Sequence, residues 1–263
     1  MLTFLYSADS IWQSLMFCFL CPILPIGSIF LLRKFWPISS RPKFSDIQGH
    51  MFGVVGIIYA VLIGAIAVGS WDKFKAAEEL TYKEALTSVS IYRSASGLEI
   101  HQAKQVKQFI EDYIANVIEK EWPSMKKGIA PDIKESNLYE LSNFLTKINA
   151  KNTTQLIFLN TLVQETIKLR EIRGTRLFIS ESSLNSILLQ FTLVGSFLII
   201  LASIFFGTEH SLLSNIIVVS ILSLVTGLVL TIVVGLDRPY QGDIVISPKP
   251  LETALKFMKL GMY

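Results

Sequence analysis

One uninterrupted stretch, from Met51 to about Gly97, constrains this chain more than any other. Met51–Ser70 is twenty residues without a charge, long enough as a helix to cross the hydrocarbon core of a bilayer. Trp71–Gly97 follows with many charges, no proline, and no glycine before its last residue. Nothing at the junction breaks a helix, so the stretch predicts one long rod that leaves a membrane for water. A mean hydropathy of +0.49, with 51% hydrophobic residues, places the whole chain outside ordinary soluble domains.

Three other apolar runs are long enough to span: about Ile11–Leu32, Leu184–Gly207 and Leu212–Leu236. Pro22 and Pro25 lie in the first and predict a kink or a partly unwound segment. That run lacks a basic start and a small-residue cleavage site, so it reads as a span and not as a secretory leader. It ends at Arg33-Lys34, with Trp36 placed for the headgroup layer. Cys18 and Cys21 form a C-x-x-C inside it, with no second pair and no histidine cluster. They read as lipid-buried side chains, not as a redox or zinc motif. A polar link with Pro37 and Pro42 follows, and Ser45-Asp46 is placed to cap the rod. The last two runs form a hairpin through Thr208–Ser211. Gln190 lies deep in one, and Ser220, Ser223, Gly227, Thr231 and Gly235 make a small-residue seam on the other.

The membrane half of the rod has two contrasting faces. Gly53, Gly56, Ala60, Gly64 and Ala67 fall within about 80° of one another at 100° per residue, a smooth seam suited to close helix packing. The opposite face carries Val55, Ile58, Leu62 and Ile66.

Residues 71–183 read as helices. Phe74, Ala77, Ala85, Val89 and Tyr92 give the rod an apolar stripe. Ile100–Trp122 is a strongly amphipathic helix through Ala103, Val106, Phe109, Ile110, Tyr113, Val117 and Ile118, ended by Pro123. After a loop over Ser124–Asp132, Ser136–Ala150 places Leu138, Leu141, Phe144, Leu145 and Ile148 inward. Thr153–Phe178 does so with Leu156, Leu159, Val163 and Ile167, and Gly174 is a point where that helix can loosen. Arg170, Arg173 and Arg176 close this last helix three apart. In the tail, Ile244–Ile246 reads as extended and Pro250–Leu260 as a short amphipathic helix.

The predicted fold is therefore an all-α membrane protein of four transmembrane helices, with a helical domain inserted between the second and third. Residues 1–50 form the first span and its basic link, 51–70 the second span, 71–183 the helical domain, 184–236 the third and fourth spans, and 237–263 the tail. Four spans put both termini and the domain on one side. That side carries Lys73, Lys75, Lys83, Lys168, Arg170, Arg173, Arg176, Arg238, Lys249 and Lys256 near the span ends, against Arg33, Lys34, Arg41 and Lys43 on the other. The positive-inside rule then makes the domain and both termini cytoplasmic, although the short basic 33–43 loop pulls the other way.

The order of spans, helical insert, spans and returning tail resembles the bestrophin channels. The local residues resemble a bacterial and plant family of bestrophin-like membrane proteins. They are Lys83-Glu84-Ala85 on the rod, Glu121-Trp122-Pro123 after the second soluble helix, Arg170 to Arg176 before the third span, and Asp237-Arg238-Pro239-Tyr240-Gln241-Gly242 after the last. The resemblance covers about residues 45–250. It implies a bestrophin-like fold, a homo-oligomer with a pentamer as its pattern, a pore lined by the second span with a hydrophobic neck, and inorganic ions as the passengers. It also implies a bacterial inner-membrane setting with lipid as the surrounding partner. Glu78-Glu79 and Glu119-Lys120-Glu121 are too sparse for a calcium cage of six or more oxygens, so no metal is expected.

On the channel reading Ile58, Leu62 and Ile66 are the neck candidates, one ring every ~6 Å. The plainer reading sets that face against lipid or the third span, and a rival one turns the smooth face to the pore. The arginines either meet lipid phosphate or pair with acidic residues of the rod and tail, with Glu84 and Glu121 as acceptors. Asp237 with Arg238 ties the tail to the domain. Sixteen Lys/Arg against fifteen Asp/Glu over 71–184 give no basic patch for nucleic acid. His50, His101 and His210 have no metal spacing, and no nucleophile elbow or phosphate loop is present, so neither an enzyme nor a cofactor is expected. The alternative function is a non-conducting membrane scaffold or sensor whose helical domain binds a protein partner.

Overall fold

The structure, a computed structural model, describes residues 21–35, 46–129, 131, 137–183, 186–206, 212–242 and 244–261. Among these residues the chain is helical and forms no strand. The helices are α1 (Cys21–Phe35), α2 (Asp46–Ser94), α3 (Ile100–Asn116), α4 (Trp122–Lys126), α5 (Asn137–Leu145), α6 (Thr153–Glu181), α7 (Ser186–Phe206), α8 (Leu212–Asp237) and α9 (Lys249–Lys259). The first half of the first predicted span with Cys18, the Trp36 position, the link through Pro37, Arg41, Pro42, Lys43 and Ser45, and the 208–211 hairpin lie outside the described residues. Three helices are long and apolar enough to cross a membrane among those described: Gly49–Gly97, Ile187–Ile204 and Leu212–Asp237.

Internal contacts divide the chain into two compact units. The first holds α1, α2 as far as Lys73, α7 and α8. α1 stays helical through Pro25, with no unwound stretch across Cys21–Phe35. Ile29, Ile204 and Val219 are buried together, and Ile200, Leu212 and Ile216 pack around them. α2 joins through Ile63 and Leu230, with Tyr59, Leu193 and Val229 alongside. The Tyr59 hydroxyl bonds the Thr192 carbonyl at 2.8 Å and meets Ser196 Oγ. Gly195 makes room for that ring, since a Cβ there would collide with the ring edge of Tyr59.

The second unit holds Phe74–Ser182 and most of the tail around one core. Val106, Ile110, Tyr113 and Val117 of the α3 stripe are buried, with Ile114 beside them. Leu138, Leu141 and Leu145 of α5 join them, as do Leu251, Ala254 and Met258 of α9.

The structure differs from two local expectations. Pro123 does not end the helix that begins at Ile100. The chain passes through a π-helical turn, Val117–Glu121, and continues helical to Lys126. The Trp122 amide already bonds back five residues to the Val117 carbonyl, so the ordinary ladder is interrupted just where proline lacks its N–H. The wide turn also rotates each residue by less than the usual 100°. Trp122 thereby joins Glu121 and Met125 on the buried side; in an unbroken α-helix Trp122 would point away from it.

The inward face of α6 differs in part, since Leu159 and Val163 pack against the core as expected. Leu156 and Ile167 are 48% and 46% exposed, and the buried line is Leu162, Thr166, Leu169, Arg173, Arg176 and Leu177. Two arginines and a threonine occupy core positions, which hydropathy reads as a surface. α6 runs unbroken through Gly174, and the helix expected over Ser136–Ala150 stops at Leu145.

Candidate functional site

Two arrangements stand out, one in each unit. The first is the open side of α2. Only 11% of its most apolar window is buried, against 33% for the spans in α7 and α8. Phe52 and Tyr59 are partly covered, and Ile63, Ile66 and Ser70 are buried, along one side of the helix. Ile58 is 65% exposed, Leu62 44% and Ile66 8%, so Ile58 and Leu62 stand on the open side and Ile66 on the packed one. Gly53, Ala60 and Gly64 are exposed, Gly56 and Ala67 partly covered. A methyl group at Gly53, Gly56 or Gly64 would meet nothing within 4 Å. Residues from Gly56 to Ala67 instead border an apolar cavity of about 460 Å³, closed on its other side by Ile199, Leu222, Val225 and Val229. At the end of α8, Asp237 is fully buried. Lys73 Nζ donates to its backbone carbonyl at 2.6 Å and to Oδ1 at 3.3 Å, which places a cation on the last carbonyls of a helix.

The second arrangement is a buried ionic cluster in the helical unit. α2 supplies Glu84, α3 Tyr113, the π turn Glu121, and α6 Arg173 and Arg176. Arg176 is completely buried. Its Nε donates to Glu84 Oε2 at 2.6 Å, and its Nη2 to Glu84 Oε1 at 3.1 Å and to Glu121 Oε2 at 2.6 Å. Arg173 grips the other oxygen of Glu121 through Nε at 2.9 Å and Nη2 at 2.8 Å. The Tyr113 hydroxyl donates to Glu84, and Met125 Sδ lies 3.3 Å from Arg176 Nη1. The guanidinium of Arg176 also sits 5.4 Å from the centre of the Trp122 ring. Trp122 in turn meets Tyr240 edge-on at 5.5 Å and donates to the Ile246 carbonyl. The Pro239 carbonyl accepts from the Ile246 amide at 2.9 Å, and Arg238 bonds Gln241. Arg170, the remaining arginine of the triplet, is exposed.

Two carboxylates and two guanidiniums make the cluster formally neutral, and every charge in it is opposed by hydrogen bonds, the condition under which buried ions are tolerated. Burial works against the charge on Arg176, but the Glu84 and Glu121 carboxylates outweigh it and raise its pKa well above the ordinary value. Burial, with Glu84 adding to it, lifts the Tyr113 phenol well above 10. Burial lifts Tyr240 to about 12, partly offset by Arg176. A phenol whose folded pKa is raised is stabilising in full below its unfolded value near 10, and that contribution fades as pH climbs from about 10 to 12. The helical unit should therefore lose about 1.4 kcal/mol per pH unit per phenol in that window. Tyr240→Phe should flatten the slope in an alkaline denaturation series.

Tyr113 entered the sequence reading as an apolar stripe residue and Lys73 as one of many interfacial lysines. The polar roles of both arise from residues 29 and 164 positions away, which no local pattern encodes. Among the described residues no group of His, Cys, Asp and Glu is placed to hold a metal ion.

The fold is shared with solved proteins. A bacterial bestrophin homologue from Klebsiella pneumoniae superposes with a TM-score of 0.69 at 12% identity, over 96% of this chain and 97% of that one. A single-substitution variant of the Klebsiella protein gives 0.70 at 12% identity, over 96% and 100%. No curated protein sequence matches the chain. The sequence model of the Bestrophin-like domain matches residues 19–251, a span that takes in both the open side of α2 and the whole ionic cluster, and the chain belongs to the bestrophin-like family.

Proposed function

We propose that the protein is one subunit of an oligomeric ion channel whose pore is lined by α2. The observation that carries this reading is the open side of α2. A helix crossing a membrane has been left largely uncovered by its own chain, with bulky apolar residues at Ile58 and Leu62 standing out from it. A closed ring of such helices turns those residues into apolar constrictions, and a constriction of this kind gates by excluding water. Family membership and the shared fold favour a channel over a scaffold. On this reading α1 with its preceding residues is a fourth span, five copies are the expected assembly, and the helical unit and both termini face the cytoplasm of a bacterial inner membrane.

The test is ion flux through liposomes holding the purified protein, with mass in detergent measured by light scattering. A multimer that passes ions is expected. A well-folded monomer, or a multimer silent in every salt, would refute the proposal.

A further inference from the structure

We propose that Asp72 sets the sign of the ion that passes, drawing cations to the α2-lined pathway and turning anions away; this rests on the channel reading above. Ile58, Leu62, Ala65, Gly69 and Asp72 succeed one another at steps of four and three, the spacing of a single stripe on a helix. All five are exposed. Met51–Ser70 holds no charge, so Asp72 is the first ionised group this stripe meets as it leaves the apolar window. At a rise of 1.5 Å per residue it lies about 15 Å along the helix from Leu62.

The charges around it are already matched. Lys73 is held by Asp237, Lys75 lies 2.7 Å from Glu78, and Lys83 lies 2.8 Å from Glu79. Asp72 has no ion-pair partner among the described residues. It therefore contributes one uncompensated negative charge per subunit, and a closed ring multiplies that charge around one axis. Carboxylate rings at a narrow mouth concentrate cations and exclude anions. If the smooth face lined the passage instead, its stripe would continue from Ala67 to Trp71, and Asp72 would lie off it.

The experiment is the reversal potential of proteoliposomes or planar bilayers under a KCl gradient, for the unaltered protein, Asp72→Asn and Asp72→Lys. The unaltered channel should prefer potassium. Asp72→Asn should cut the potassium-to-chloride permeability ratio by about tenfold, and Asp72→Lys should turn the preference toward chloride. A second route introduces the charge only after folding: Asp72→Cys in a Cys18→Ser, Cys21→Ser background, labelled after reconstitution. A negatively charged thiol reagent should restore cation preference and a positively charged one should abolish it. Conducting variants whose reversal potential equals that of the unaltered protein would overturn the role of Asp72 and leave the channel reading intact. Absence of flux from the unaltered oligomer would overturn both.

Discussion

Arg176→Ala should destabilise the helical unit by about 3–5 kcal/mol, the range seen when one partner of a buried ion pair is deleted. The cause is less the lost attraction than what remains. Glu84 and Glu121 have side chains 0% and 4% exposed, and both would lose the Arg176 donors, leaving Glu84 with the Tyr113 hydroxyl and Glu121 with Arg173. Each arginine of the triplet should behave differently. Arg173→Ala should cost less, because Glu121 would keep Arg176. Arg170→Ala should change almost nothing, because that side chain is exposed. Thermal or denaturant unfolding in detergent, followed by the loss of helical circular dichroism, measures the series. A companion variant separates charge from packing. Arg176→Met combined with Glu84→Leu removes one charge of each sign, leaves the Arg173–Glu121 pair in place, and should be more stable than Arg176→Ala alone. A loss below about 1 kcal/mol for Arg176→Ala, the worth of a surface pair, would mean that the cluster is not a structural lock.

The same cluster marks how far the sequence could be read. Apolar periodicity located α3, α5 and α9, because those helices bury aliphatic and aromatic side chains on one stripe and nothing else competes there. It failed in part on α6. Arg173 and Arg176 occupy core positions that a hydropathy pattern assigns to water, so Leu156 and Ile167 on another side looked more like the inward face. Motif spacing placed Glu84, Glu121 and the arginines in order along the chain, but their meeting depends on three helices converging. The place of Trp122 beside Arg176 depends in addition on the π turn, which adds one residue to a turn. A signal was present in Trp122, a large apolar residue lying off the α3 stripe at 100° per residue. An irregular turn brings it back to the core. On α2 the sequence reading separated a smooth face from a bulky one, and the structure places the helix's own contacts between them, through Tyr59, Ile63, Ile66 and Ser70. Ile66 lies at the border of the bulky arc, where the packed side begins.

Leu62→Ala should raise ion flux by about tenfold, the increase that follows from lowering a barrier by about 1.4 kcal/mol. On the proposed pathway Leu62 is an apolar ring, and the free energy opposing passage there is that of wetting an aliphatic constriction. Trimming leucine to alanine widens the ring and removes apolar surface from every subunit at once. The side chain is 44% exposed within its own subunit, so the variant should fall well short of the 2–5 kcal/mol that a buried leucine costs on the same change. Increased flux and loss of fold are therefore separable. Leu62→Phe should have the opposite sign, and Ile58→Ala, about 6 Å along the helix, should act in the same direction as Leu62→Ala. Phe197→Ala on α7 is the control, since that residue is 63% exposed on a different helix and carries no role in the pathway. Flux from reconstituted oligomers of verified size decides the matter. If Leu62→Ala conducts like the unaltered protein while Gly64→Leu blocks it, the smooth face of α2 lines the passage and the bulky face meets lipid.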